Sequence, residues 1–335
     1  MPSLSEGYRL NLLSDSDLQR FLFDVRRAPS PHNTQPIRWR ISAEKIELLI
    51  DPSRILEVSD HSHRDLDLSA GAAFALAQLS LRSLGFEIQN WQTFGSREPV
   101  YGSGTLVRTV TASSADLEAW GRHACFRGKF RKIADEKRPE YRSSDVLIID
   151  TPEKIGQIAA LYDESLAFFL ARKDYAEELW RWLRLERKHP DFNRDGLNYE
   201  ALRLGPILAF FSRFIMRPPT LATLSKLGIL KPLVSEAPQN LSAEGFLLLA
   251  GARGKSSFAR GADIIRTWVD LERAGRVFCP VTSLIDDPKF HARLAKIAGL
   301  AEGTEIYHVC RFGGLPLKDA LPLSPRLPAG EIRGA

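Results

Sequence analysis

A chain of 335 residues with 44% apolar content can bury one large composite core or two ordinary ones. Its 46 lysines and arginines exceed its 41 aspartates and glutamates by five, spread along the chain, which suits small anionic ligands and argues against a nucleic-acid coat. Cys125, Cys279 and Cys310 are far apart and form no CxxC, so neither a disulfide framework nor a structural zinc is expected. A reducing compartment fits. The chain does not open with a basic segment followed by an apolar one, and its longest apolar region, 204–216, is broken by Pro206 and Arg213. These features predict a cytoplasmic protein without a membrane partner.

Ile37, Trp39 and Ile41 alternate with polar neighbours, as do Ile46, Leu48 and Ile50, which predicts a strand pair ended by Asp51-Pro52. From Ser69 to Leu84 the apolar residues recur at helical spacing, with Ser69 as N-cap and Gly85 as the stop. A similar unit returns 190 positions later: a buried strand at 246–249, then a helix over 259–274 that ends at Gly275. Gly71, Ala72, Leu81 and Gly85 match Gly261, Ala262, Leu271 and Gly275 without a gap. The match implies a small residue pair where a helix starts close to another backbone, and a left-handed stop one helix-length later. Two related halves would then form a pseudo-dimer.

Between these units, Thr151-Pro152-Glu153 has the signature of a helix start, and an amphipathic helix or helix pair is predicted to about residue 187. Residues 190–240 are rich in proline, glycine and aromatics, and do not suit a regular sheet. They are a candidate lid or arm, with Phe210, Phe211 and Phe214 as candidate substrate or lid residues, or else an ordinary packed excursion. Near the C-terminus, 307–312 is predicted as a strand, Gly313-Gly314 as a turn and 323–328 as an extended tail.

Residues 28–36, AlaProSerProHisAsnThrGlnPro, are the most informative stretch. Two prolines fix an irregular extended backbone, while Ser30, His32, Asn33 and Gln35 offer donors and acceptors just before a strand. That describes either a rigid polar lip over a flat ligand or a decorated helix-to-strand turn. Two other signals are incomplete. GlyAlaArgGlyLysSer at 251–256 is similar to a phosphate-binding loop, but the first glycine such a loop requires is Leu249. His61 and His63 lack a third metal ligand nearby in sequence, so no metal is expected.

The APSxHNxQP pattern followed by a strand resembles the signature of the nitroreductase superfamily, with Ile37 where tryptophan is common. Together with AspProSerArg, the helix around Gly71, ArgPheGlyGly and SerProArg, it resembles the Acg-like branch, in which one chain carries two nitroreductase-like halves. The resemblance covers nearly the whole chain. It implies an α+β single-chain pseudo-dimer with central antiparallel sheets flanked by helices, divided into halves at 10–115 and 116–335. It also implies one FMN in the seam, its ring against Pro29, Ser30, His32, Asn33 and Gln35.

ArgHisAlaCysPheArgGlyLysPhe at 122–130 resembles the arginine-containing phosphate motif of that superfamily, with Ala124 and Cys125 where a hydroxyl residue is usual. Arg122 and Arg127 suit the role because guanidinium groups grip phosphate bidentately and keep their charge. The resemblance adds Arg326 as a residue closing over the phosphate, and Thr282 as the backbone N–H facing flavin N5. No side chain is then required as a catalytic base, since flavin N5 carries the chemistry. The implied function is oxidoreduction, with NADH or NADPH as donor and a small conjugated acceptor of nitroaromatic or quinone type. An alternative is a stress-related protein that sequesters flavin in a covered site, and a third is flavin-dependent chemistry without nicotinamide. Both a monomer and a homodimer are compatible with the sequence.

Overall fold

The computed structural model describes residues 12–110, 113–121, 125–133, 140–317 and 324–334. Helix α1 (Asp15–Val25) is capped by Ser14, whose hydroxyl accepts from Asp17 N. The short turn Pro31–Asn33 leads into β1 (Ile37–Ser42), joined to β2 (Lys45–Ile50) by a two-residue turn in which Ala43 takes φ +50°. Helix α2 (Arg64–Ser83) follows, then β3 (Phe86–Thr93), β4 (Val100–Arg108) and α3 (Ala115–Trp120). The four strands form an antiparallel sheet in the order β1-β2-β4-β3, with Trp39 opposite Leu48.

The second antiparallel sheet has the order β5-β8-β10-β9, from β5 (Val146–Ile149) through β10 (Thr304–Gly314). After β5 come α4 (Pro152–Ala171) and α5 (Lys173–Trp182), then a parallel bridge between β6 (Leu183–Arg184) and β7 (Leu197–Asn198). An arm of four helices succeeds it: α6 (Pro206–Ile215), α7 (Pro218–Lys226), α8 (Leu230–Val234) and α9 (Ala237–Leu241). The chain continues through β8 (Gly245–Ala252), α10 (Ser257–Arg273), β9 (Arg276–Pro280), α11 (Pro288–Ala298) and β10, and closes with α12 (Ala329–Ile332).

Helices α2 and α10 pack directly on each other where the repeated glycines meet. A Cβ on Gly71 would lie 1.8 Å from the Phe258 carbonyl oxygen, and one on Gly261 would lie 2.1 Å from that of Leu68. Gly85 and Gly275 end the two helices at φ +79° and +70°. One core spans both sheets, joining Trp39, Ile46 and Leu48 to Leu247, Leu249 and Cys310 through the two helices. Strand alternation sends Phe246 and Leu248 to the other face, where α4 and α11 cover them with Ile158, Leu161, Phe290 and Leu294. The last segment returns to the first sheet, with Gly334 N donating to Trp39 O at 2.8 Å.

Two local expectations change. Helix α2 begins five residues before Ser69, which lies inside it and donates its hydroxyl back to Asp65 O at 2.7 Å. The cap is Asp60, whose carboxylate accepts from Asp65 N and Leu66 N at 3.0 and 2.8 Å. Gly313 and Gly314 do not turn: they pair with Val277 and Arg276. They are small because added Cβ atoms would lie 2.7 and 2.6 Å from Phe130 and Ile133. The segment 190–240, for which no regular sheet was expected, folds largely as helices.

Candidate active site

A cavity of about 540 Å³ opens where the lip, α2, the second sheet and the arm converge. That volume is in the range of small-molecule and cofactor sites. Its lining is of two kinds. Ser30, His32, Asn33, Arg127, Ser324 and Arg326 make a polar end, while Leu166, Leu170, Leu179, Leu183, Leu197, Met216 and Val234 make an aliphatic one. Those seven aliphatic residues belong to one packed cluster between α4, α5 and the arm.

The lip holds its shape against local backbone preference. His32, Asn33 and Gln35 take φ of +49°, +55° and +53°, a left-handed conformation that three non-glycine residues in four positions adopt only when their surroundings impose it. Asn33 Nδ2 donates to Gly196 O at 3.1 Å and to Pro325 O at 2.9 Å. Gln35 Nε2 donates to Arg194 O at 2.9 Å, and its Oε1 accepts from Leu327 N at the same distance. Ser30 Oγ accepts from Gln35 N at 2.9 Å. Lip, β7 loop and C-terminal tail are thereby stapled together by two side-chain amides.

Arg127 comes from a strand-like segment whose Phe126 N donates to Phe278 O on β9 at 2.9 Å. Among the described residues Arg127 has no carboxylate partner, although it lines the cavity. Arg326 donates to Asn33 Oδ1 at 2.7 Å and to carbonyls, has no carboxylate partner either, and keeps a buried Nε without any acceptor. Burial pushes its guanidinium down to about 10, so it is still charged at neutral pH. Two guanidinium groups that bond to no carboxylate among the described residues, at one end of a cavity, favour an anionic group there.

Burial also sets the other ionisable groups. It pushes the His32 imidazole down to about 4, with Glu178 opposing and Arg127 assisting, and the His308 imidazole down to about 3. Both rings line the cavity and are neutral at pH 7. His308 Nε2 accepts from Trp268 Nε1 at 3.2 Å. Burial lifts the Cys125 thiol to about 11, so it is protonated and inert as a nucleophile. Asp286 is raised to about 7, by burial first and then by Asp65, although Arg64 donates to it at 2.7 Å.

The cavity thus collects Pro29, Ser30, His32, Asn33, Arg127, Thr282 and Arg326 from the expected set. Thr282 opens a short turn, Thr282–Leu284, where the first N–H groups have no partner within the turn. Arg122 lies outside the described residues. Gln35 does not line the cavity: it is buried behind the lip as a staple. The expectation for Phe210, Phe211 and Phe214 is corrected. All three are about half exposed, on the outer face of α6, and it is Leu208, Ser212, Ile215 and Met216 that line the cavity. The reason is the helical period, which places 208, 212 and 215 on one face and 207, 210, 211 and 214 on the other.

Sequence reasoning passed over Tyr175, whose ring meets His32 edge-on with centroids 6.3 Å apart. It also passed over Glu178, which accepts from Val58 N and Ser59 N at 2.9 and 2.8 Å, and over Asp286. No local sequence signal marks them. Each owes its position to groups more than one hundred residues away.

No family model matches the chain. Over 73 residues it is 42% identical to the "Putative NAD(P)H nitroreductase Rv3131" of Mycobacterium tuberculosis (strain ATCC 25618 / H37Rv), a span of 22% of this chain and 20% of that protein. Over 59 residues it is 37% identical to the "Putative NAD(P)H nitroreductase acg" of the same strain, 18% of each. The matches therefore span about a fifth of the length of these curated relatives. An FMN and NADPH-dependent nitroreductase, NfnB from sphigopyxis sp. strain HMH, aligns with 66% of this chain and 98% of its own at 15% identity and a TM-score of 0.35. The sequence likeness is to the nitroreductase superfamily, on its Acg-like branch. The fold is α+β, with two antiparallel sheets flanked by helices.

Proposed function

We propose that this protein is an FMN-dependent, nitroreductase-like oxidoreductase that passes electrons from NADH or NADPH to a small conjugated acceptor of nitroaromatic or quinone type. The observation that carries the reading is the pair of guanidinium groups, Arg127 and Arg326, that bond to no carboxylate among the described residues, beside a rigid lip at the polar end of a cavity large enough for a flavin. The names of the relatives, nitroreductases using NAD(P)H, point the same way. We further propose that residues 10–115 and 116–335 are two nitroreductase-like halves. Only the first carries a lip of this kind, so one FMN per chain is expected.

In this reading Arg127 and Arg326 hold the phosphate, and Pro29, Ser30, His32 and Asn33 flank the ring. FMN supplies the redox chemistry when bound. The chain's own contribution is placement. Asn33 and Gln35 fix the lip, the neutral His32 adds no charge beside the ring, and Thr282, in the cavity lining, offers a main-chain donor. Leucines of α4, α5 and the arm exclude water from the other end.

Purified protein reconstituted with FMN should be yellow, release FMN rather than FAD on heating, and bleach anaerobically when NADPH or NADH is added. Recovery of FAD, or no flavin after reconstitution, overturns the cofactor assignment. Tight FMN binding without bleaching by either nicotinamide would favour flavin storage, to which the arm helices walling the cavity also lend themselves.

A further inference from the structure

Helix α6 is apolar on both faces. Its inner face, Leu208, Ser212 and Ile215, lines the cavity, and its outer face presents Ile207, Phe210, Phe211 and Phe214, which are 76%, 50%, 54% and 46% exposed. A helix on the surface of a water-soluble domain normally carries polar residues outward, so an apolar outer face indicates a second partner. Exposed apolar residues continue along the arm as Leu227, Ile229 and Leu233.

The charge of the arm identifies the partner's chemistry. Residues 201–235 contain Arg203, Arg213, Arg217, Lys226 and Lys231 and no aspartate or glutamate, although the whole chain exceeds neutrality by only five. Arg213 lies over the Phe210 ring at 4.5 Å and Arg217 over that of Phe214 at 5.4 Å, so the cations border the aromatic face directly. Arg213 is paired with Glu186 at 3.0 Å. Arg217, Lys226 and Lys231 are exposed and pair with no carboxylate among the described residues.

We propose that the α6–α8 arm seats this protein on an anionic lipid surface, with the phenylalanines in the headgroup boundary and the arginines and lysines on the phosphates. Aromatic residues beside cations, on a helix too short to cross a bilayer, have the composition of an interfacial anchor. No helix among the described residues is long and apolar enough to span, so attachment is to one leaflet. A second copy fits the face poorly, because a two-fold contact would bring the same cations together without an acid to receive them. Seating the arm this way puts the helix that walls the aliphatic end of the cavity at the lipid boundary. The proposal does not depend on the cofactor assignment.

The test is co-sedimentation of the purified full chain with phosphatidylcholine vesicles, with and without about 30% phosphatidylglycerol. Anionic vesicles should pellet the protein at least about tenfold better than neutral ones, and about 0.5 M salt should release most of it. Phe210→Ser with Phe211→Ser, and separately Arg217→Glu with Lys231→Glu, should each lower partition by about tenfold or more at unchanged melting temperature. Equal partition to both vesicle types, or unchanged partition of either variant, overturns the proposal. A fall in melting temperature of the phenylalanine variant shows instead that the face is packed within the fold. A dimer in solution that the phenylalanine variant dissociates assigns the face to self-association.

Discussion

At the end of the cavity formed by lip and tail, the chain is held by directional bonds. Asn33 and Gln35 each tie two distant main-chain segments together, and three strained positions within four residues depend on those ties. Toward the arm most of the wall is leucine, valine and methionine packed in one cluster, with Ser235 and Glu236 at its edge bonded to Asp163. Hydrogen-bonded groups have one productive geometry and leave an uncompensated partner when removed, whereas aliphatic packing yields gradually. The polar end can therefore fix a ligand's orientation to fractions of an ångström, and the aliphatic end can accept tails of different shape.

The sharpest way to break this contrast is at the arginines. If Arg127 binds the phosphate, Arg127→Ala removes a charge-assisted bond contributing about 1.5–3 kcal/mol, a loss of roughly ten- to a hundredfold in FMN affinity. The apoprotein should melt at an unchanged temperature, since Arg127 has no carboxylate partner to abandon among the described residues. Fluorescence titration of FMN measures the first and calorimetry the second. Unaltered affinity would return Arg127 to the status of a surface charge.

Next in size is Gln35→Ala. It leaves Arg194 O and Leu327 N without their amide partners, and buried unpaired groups cost about 1–3 kcal/mol each. The expected result is a lower melting temperature together with weaker FMN binding, although Gln35 does not line the cavity. Normal stability with weak binding would instead make Gln35 a direct ligand contact.

How far these features were legible in the sequence follows the same division. The stops at Gly85 and Gly275 and the close approach of Gly71 to Gly261 were readable because glycine is required locally by backbone conformation or by space. The donors and acceptors of the lip were readable as residue types. Their partners were not, since Asn33 and Gln35 bond to groups 159 to 292 residues away. The cap of α2 was misassigned to Ser69 because the true cap, Asp60, acts through a loop whose His63 takes φ +59°. For α6, the sequence shows only an apolar region interrupted by Pro206 and Arg213, and with apolar residues on every side of the helix no pattern marked which of them would meet the cavity.

A third prediction is silent at neutral pH. The His32 imidazole is held neutral by burial, so its ring proton resonance should titrate with a midpoint near pH 4, and that of His308 near 3. The sign follows from linkage. The unfolded chain takes up these protons near pH 6.5 and the folded chain only well below, so each ring withdraws stability as pH falls from 6.5 towards its folded value. A His32 midpoint near 6.5 would mean that the polar end of the cavity is wet, and that its bonds are weaker than their geometry implies.

The smallest effect is expected at Leu185, which follows Leu183 of the aliphatic end by two residues and lines the cavity while being 8% exposed. Leu→Ala in a filled core costs about 2–5 kcal/mol, partly for the lost transfer energy and partly for the hole left behind. At Leu247, which is fully buried in the shared core, that full cost should appear in denaturant unfolding. At Leu185 the side chain already faces empty space, so fewer contacts are lost and the cavity only widens. Leu185→Ala should accordingly cost no more than about 1–2 kcal/mol, leave FMN affinity unchanged, and alter kcat/KM for a long-tailed quinone more than for a short one. A cost equal to that of Leu247→Ala would mean that the arm closes tightly around Leu185 in solution. The aliphatic end would then be as exacting as the polar one, and the contrast between them would fall.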